Sequence, residues 1–404
     1  MAYLPLANIL HYKLRSTFSA LGIGIGVCML VTLSGLARGT LYEVADRWDS
    51  VDADLIVFPR GSGTNATTHS GRLWDSYARL IRARHGDIVE QVTPVLLRPM
   101  QLAGQDHMAA GVDHRQWRTL TGGRDLSAGR LFDPQDKFAR WIERKVLTGG
   151  DDQGDEPVVG GQLDLSAAPP DGLELVIDSR LAQAGNFRLN QYIQSANHEW
   201  KIVGIVPSGA MARVFMPRRM AQYLFDGSIQ QSTLMFVKLK RGVDVGPAAA
   251  ALRTTTAQDV VLLASYRGML LERFGILFHY VDAVNVIALV IAFLFIMVTL
   301  YTMVLQRTGD IAILKSSGAS GWFIVRQVLG ESILLTGGGV VMGLVMAFAV
   351  AWAVETWAPL HTVTITWQWV GIAILAAGVG AIISALYPAR QAMRVDIAEA
   401  LTLK

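Results

Sequence analysis

The sequence predicts an integral membrane α-helical protein with four transmembrane helices and a large mixed α/β extracytoplasmic domain inserted between helices 1 and 2. Three observations point there. Apolar residues make up 51% of the 404 residues and charged residues only 17%, against about 25% charged in ordinary globular domains. The charges crowd into the stretch from Arg38 to Asp282 and are missing from four long windows. Lys and Arg are also distributed unevenly around those windows.

The windows are Phe18–Ala37 and Trp367–Leu386, each 20 residues, and Ala283–Leu305 and Ser332–Val354, each 23 residues. At a rise of about 1.5 Å per residue, roughly 20 apolar residues cross a hydrocarbon core of about 30 Å. A buried helix of a soluble core is usually shorter and carries a polar stripe. The first window has a rival reading as a secretory signal peptide, because Lys13 and Arg15 precede it. It is longer than a typical signal core, and no small-x-small cleavage site follows, so it is read as a retained helix.

Orientation follows from Lys and Arg in the short segments. Lys13 and Arg15 precede the first window. Arg307, Lys315 and Arg326 lie between the second and third, and Arg390, Arg394 and Lys404 follow the fourth. Residues 355–366 contain neither Lys nor Arg. The expected layout is a cytoplasmic amphipathic segment over 1–17, helix 1 over 18–37 and an outer domain over 38–282. Helix 2 follows over 283–305, then a cytoplasmic loop over 306–331, helix 3 over 332–354, an outer loop over 355–366, helix 4 over 367–386 and a cytoplasmic tail over 387–404. Both termini are then inside. In residues 1–17, Leu6, Ile9, Leu10 and Leu14 share a helical face suited to the membrane interface.

The outer stretch mixes both periodicities. Runs at 53–58, 92–97, 173–177, 201–206, 214–216 and 233–239 read as strands, and several are bounded by Gly or Pro. Helices are expected over 73–85, 179–184 and 218–225. Residues 248–280 read as one helical stalk entering the second membrane helix, with Pro247 at its first position. The acidic run Gly149–Pro157 lacks the alternating oxygen ligands of a calcium loop, and Asn65-Ala66-Thr67 reads as an exposed loop.

What is missing narrows the function. The chain contains no GxxxxGK[ST], HExxH, CxxC or GxSxG, so no catalytic residues, metal ligands or bound cofactor are assigned. No basic stripe interleaved with aromatics suggests nucleic acid. The windows lack the ionisable groups that mark ion pathways or intramembrane catalysis. The single cysteine, Cys28, lies in the first window, where it reads as packing. Small-residue pairs recur as Gly22 and Gly26, Gly339 and Gly343, and Gly380 with Ser384. They suit close helix approach, and packing within the chain and dimerisation remain equally open.

Two segments carry the sharpest signal. Gln306–Ser320 reads QRTGDIAILKSSGAS, and Tyr387–Leu401 reads YPARQAMRVDIAEAL. The first predicts a short amphipathic helix over 310–317, with Ile311, Leu314 and Lys315 on neighbouring surface positions and Gly318 ending it. Together the segments resemble the hallmark motifs of the MacB/FtsX-like permeases of ABC transporters. Arg307, Ile311, Ala312, Leu314, Lys315, Gly318 and Ala319 fall on the first motif. Tyr387, Pro388, Ala389, Ala392, Glu399, Ala400 and Leu401 fall on the second. Asp310 replaces the usual glutamate and Ile397 the usual proline. The opening, with Asn8, Arg15–Thr17 and the glycine-rich run 21–27, is similar too, and residues 203–206 and 214–217 weakly resemble the end of a MacB-type periplasmic core domain.

The resemblance implies a permease subunit in the bacterial cytoplasmic (inner) membrane, working as a dimer with a second copy or a paralogue. A separate cytoplasmic ATPase would bind ATP and Mg and dock on a coupling helix formed by Arg307, Asp310, Ile311, Ile313, Leu314, Lys315, Gly318 and Ala319. ATP-driven movement would pass to the outer domain for export or extraction of a lipid, lipoprotein, peptide or drug, with membrane lipids and a periplasmic adaptor as further partners. The alternative it implies is an FtsX-type signalling protein that activates a cell-wall hydrolase; a membrane-anchored enzyme is disfavoured by the missing motifs.

Overall fold

The computed structural model describes residues 13–62, 72–102, 104–132, 173–226, 230–306 and 308–393. Its elements begin with α1 (Lys13–Asp49), β1 (Leu55–Phe58), β2 (Leu73–Trp74), α2 (Ser76–His85), β3 (Val89–Leu102) and β4 (Gln105–Val112). They continue with α3 (Trp117–Leu120), β5 (Ala128–Gly129), β6 (Glu174–Asp178), α4 (Ser179–Ala184), β7 (Tyr192–Ser195), β8 (His198–Val206), β9 (Val214–Pro217) and α5 (Arg218–Asp226). Then come β10 (Gln231–Ser232), β11 (Leu234–Leu239), α6 (Val245–Thr256), β12 (Asp259–Leu262) and α7 (Leu263–Arg273). The last four are α8 (Gly275–Gln306), α9 (Thr308–Ser316), α10 (Gly321–Trp357) and α11 (Trp367–Met393). The chain forms two compact units, one from residues 1–41 and 274–404 and the other from 42–273.

In the first unit, α1, α8, α10 and α11 are each long and apolar enough to cross a membrane. Their outward faces carry large apolar side chains such as Val341, Val345 and Leu375, as lipid contact requires. Trp322 opens α10 and Trp357 closes it, both largely exposed, at the positions where an aromatic belt meets the bilayer surface. The small residues lie at helix crossings. A Cβ on Gly22 would meet the Phe295 ring at 2.6 Å, and one on Gly26 would meet Ala292 at 2.8 Å, so this pair fits α1 against α8. A Cβ on Gly343 would lie 2.6 Å from the Gly24 carbonyl oxygen, and one on Gly339 would lie 2.7 Å from Ile23 Cβ, so the second pair fits α10 against α1. Gly380 has open space around it instead, while the Ser384 hydroxyl, on the same helix, donates to Phe293 O of α8 at 3.1 Å. Polar groups reinforce α1 against α8: Asn285 Nδ2 donates to Ser34 Oγ at 2.8 Å, and Arg38 pairs with Asp282 at 3.2 Å. The Arg38 guanidinium also lies over the rings of Trp369 and Phe278, at 4.5 and 5.0 Å.

The second unit is a mixed sheet in the order β12-β1-β11-β3-β4-β9-β6-β8-β5, with β7 added on β8. The 14-residue β3 joins its two lobes, pairing with β11 over its first half and with β4 over its second. The β1 run LIVF is buried on both faces. Leu55 and Val57 pack with Ile81, Leu252 and Val92 under α2 and α6. Ile56 and Phe58 face the opposite core with Trp48, Phe236 and Tyr266. Successive strand side chains point to opposite faces, so one short run serves both cores.

Several expectations need correction. The stretch 248–280 is not one helix. Ala257 adopts a left-handed conformation, with φ 54°, and β12 then pairs with β1. The β-branched Val260 and Val261 complete a sheet edge there, which outweighs the helical pattern around them. Pro247 is the third residue of α6, after the Asp244 N-cap, where a helix still needs no N–H donor. Leu73–Trp74 pairs with β10 as a strand, so α2 begins only at Ser76. The fourth membrane helix runs on past Leu386 through Pro388 to Met393, because the apolar window sets the span and not the end of the helix. Similarly α1 extends past Ala37 to Asp49. Residues 1–12, the sequon at 65–67, the acidic run 149–157, Arg307 and the tail 394–404 with Glu399 and Leu401 lie outside the described residues.

Candidate functional site

The two motif segments meet at the ends of the membrane helices. The short helix α9 ends in a tightly specified turn. Gly318 takes φ 90°, Gly318 N–H donates to Lys315 O at 3.0 Å, and Ala319 N–H donates to Leu314 O at 3.0 Å. This is the Schellman arrangement, and it satisfies carbonyls that the helix end would otherwise leave open. Ser320 then caps α10, with its hydroxyl accepting from Phe323 N–H at 3.3 Å. Such a cap contributes about 1 kcal/mol. The orientation of α9 is thus set by local chemistry at a four-residue link.

Packing sorts the motif residues into inward and outward groups. Ile311 and Ala312 are buried in the same apolar cluster as Val304, Ile324, Val328 and Ala389, or fully enclosed beside it. Leu314 lines a small cavity of about 40 Å³ with Val304, Ile311, Ile324, Gln327, Val328 and Glu331. Lys315 Nζ donates to Met393 O at the end of α11 at 2.6 Å. Ile311 and Lys315 therefore face the chain itself, contrary to the expected surface row of Ile311, Leu314 and Lys315. The exposed side is Ile313, at 49% exposure, with Ser316, Ser317 and Gly318; Ala319 is half-buried, and Asp310 lies on α9.

The described part of the second motif, Tyr387–Met393, lies on α11. Pro388 and Ala389 are buried, and the exposed Tyr387 ring contacts Tyr301 of α8 at 5.7 Å between centroids. A Cβ on Gly321 would come within 3.4 Å of Met393 Sδ. The described part of the C-terminal motif thus forms part of the seat on which α9 rests. Two residues at this seat escaped the motif reading. Trp322, at 72% exposure, follows the turn directly and continues the outward apolar character of Ile313. Glu331 is buried at the cavity wall, one residue before the charge-free window that drew attention to α10.

Comparison with known proteins matches these parts. The chain is 23% identical to the macrolide export ATP-binding/permease protein MacB of Agrobacterium fabrum over 410 residues, covering 98% of this chain and 59% of that protein. It is 25% identical to the pyoverdine export ATP-binding/permease protein PvdT of Pseudomonas syringae pv. tomato over 414 residues, covering 96% of this chain and 57% of that protein. The chain therefore spans less than two thirds of the length of these relatives. The crystal structure of the periplasmic region of MacB from Actinobacillus actinomycetemcomitans aligns with 55% of this chain and 94% of its own length, at 13% identity and a TM-score of 0.36. Residues 16–255, more than half of the chain, match the MacB-like periplasmic core domain, and residues 283–397 match the FtsX-like permease C-terminal domain. With the four membrane helices and the mixed α/β unit, these matches place the chain in the MacB/FtsX-like family of ABC transporter permeases.

Proposed function

We propose that this chain is an export permease that takes up ATP-driven movement from a separate cytoplasmic ATPase at α9 and passes it to the outer unit. The observation that carries the reading is the fixed seat of α9. Its inner face is packed on α8 and α10, Lys315 ties it to the end of α11, and Ile313 with the exposed turn remains for a partner. A force on a helix held this way reaches three membrane helices at once. Both termini and α9 lie in the cytoplasm in this reading, as the Lys and Arg distribution supports. ATP and Mg belong to the partner. The cargo class is a lipid, lipoprotein, peptide or drug; the names of the relatives, one a macrolide and one a pyoverdine exporter, support export over hydrolase signalling.

The test is co-purification of the tagged full chain from its native membrane. A P-loop ATPase is expected with the wild type, reduced at least tenfold by Ile313→Asp and by Gly318→Pro, with membrane insertion unchanged. Undiminished ATPase with Ile313→Asp overturns the role of α9, and no ATPase with the wild type overturns the permease reading. Ser316→Cys adds an exposed thiol to a chain whose one native cysteine, Cys28, is buried. It should react with an impermeant maleimide only when the cytoplasmic face is open; labelling from outside reverses the topology.

A further inference from the structure

Away from α9, the outer unit contains a cavity of about 460 Å³, within the 300–1,000 Å³ range of small-molecule sites. Its wall is unusually cationic. Arg79, Arg82, Arg218 and Arg219 line it, against two carboxylates, Asp75 and Asp113. Both carboxylates are already engaged at its floor. Buried Arg218 donates to Asp75 at 2.5 Å and to Asp113 at 3.0 Å, and Asp75 also accepts from Ser232 at 2.7 Å and Gln222 at 3.2 Å. Asp75 stands at the N-cap of α2, yet its side chain makes no capping bond there.

The rim is arranged for an anion. Arg79 and Arg82 are exposed and three residues apart on α2, so they share a face and repel one another. One nitrogen of Arg82 donates to Val92 O at 2.7 Å, which holds that guanidinium at the wall with its other donors left for a ligand. An anion between them removes that repulsion and takes their planar donors in pairs, which an ammonium group cannot offer. Trp74 lies at the same wall, half exposed, and presents a flat apolar surface to the body of a ligand. Gln116 Oε1 is buried at this wall and, among the described residues, has no hydrogen-bond partner, so it can accept from a hydroxyl.

We propose that this cavity binds an organic phosphate or carboxylate that carries a hydroxyl group. Arg79 and Arg82 take the anionic head, Arg218 holds the floor rigid through Asp75 and Asp113, and Gln116 and Trp74 receive the rest. The site is independent of the coupling role of α9.

The test is titration calorimetry on the detergent-solubilised full chain with sn-glycerol 1-phosphate, using glycerol as the neutral control. Binding of the phosphate and not of glycerol is expected, weakening as salt rises. Arg79→Gln/Arg82→Gln should lower affinity by about tenfold or more. Arg79→Gln alone, which leaves the bond from Arg82 to Val92 O intact, should lower it without changing the melting temperature. Gln116→Leu should weaken glycerol phosphate and leave inorganic phosphate unchanged. Competition by dihexanoyl phosphatidylglycerol as well as by free glycerol phosphate identifies a lipid headgroup as the source; competition by the free ester alone identifies a soluble solute. Equal binding of glycerol, or affinity unchanged in the double arginine variant, overturns the proposal.

Discussion

Arg47, near the end of α1, donates to the carboxylate of Asp178 at 2.9 Å inside the outer unit, with both side chains withdrawn from solvent. Neither residue serves the other alone. Arg47 also donates to Glu43 at 2.8 Å and to Ala210 O at 3.0 Å, and Asp178 caps α4 by accepting from Leu181 N–H at 2.7 Å. Glu43 in turn holds Arg180 at 2.8 Å and Arg213 at 3.5 Å. Three arginines thus share two carboxylates. Burial first and Arg47 second lower the proton affinity of the Arg213 guanidinium, as crowding of like charge in a low dielectric requires.

Asp178→Asn keeps an oxygen for the α4 cap but removes the charge opposite Arg47. Arg47 then keeps only Glu43, which Arg180 and Arg213 share, so the cost approaches but does not exceed that of a fully broken buried pair, about 3–5 kcal/mol. The expected result is loss of protection in the outer unit, read as hydrogen exchange of β6 and β9 peptides across a urea series. Arg47→Met/Asp178→Asn should cost less than the sum of the two single changes. Additive costs would show that the pair is not coupled.

The small residues of α10 and α11 predict opposite outcomes. Gly343→Leu drives a side chain into the Gly24 backbone, and overpacking of this kind costs about 1–3 kcal/mol. Gly378 has nothing within 4 Å of a Cβ, so Gly378→Leu should leave the fold intact. The monodisperse yield and melting temperature of each variant in detergent decide the matter. An equal loss in both would mean that a second copy packs on α11, and would overturn the assignment of the glycine crossing to this chain alone.

How much of this was legible in the sequence depends on what enforces each feature. The membrane helices showed clearly, because a bilayer tolerates no charge over about 20 residues. Their ends did not, since α1 runs on past the apolar window to Asp49 and α11 runs on at least to Met393. In the outer unit the β-branched runs of β1, β8 and β11 announced themselves. The strand β4 (QDHMAAGV) did not, since its small and polar residues become a strand only by pairing with β3 and β9. For α9, Gly318 marked the stop correctly. The inner face was misjudged because IAIL places apolar residues on every side of a helix, and only the seat decides that Ile311 turns in and Ile313 out. The arginine-lined cavity was invisible, because its wall comes from residues 74–82, 113–116 and 218–219, which are brought together only by the sheet.

His107 on β4 makes the outer unit sensitive to acid. Its ring is buried, and Nε2 has no hydrogen-bond partner among the described residues. Burial first and Arg213 second push the imidazole below its usual value, against weaker opposing pulls from the Leu102 backbone, Asp178 and Asp106. The unfolded chain protonates this ring at about pH 6.5, while the folded one resists protonation to lower pH. Below about 6.5 the unfolded state therefore binds more protons, and acid favours unfolding. The stabilising effect is complete above that value and is lost as pH falls through the depressed native value. Between pH 7.5 and 5.5, protection of β4 and β9 amides, corrected for intrinsic exchange, should fall in the wild type. His107→Leu, which removes both the titration and the unbonded nitrogen, should flatten that dependence while leaving stability at pH 7.5 nearly unchanged. Asp49, whose carboxyl is raised chiefly by burial, acts in the opposite sense and is common to both proteins, so it cancels in the difference. The same pH slope in wild type and His107→Leu would sink the assignment.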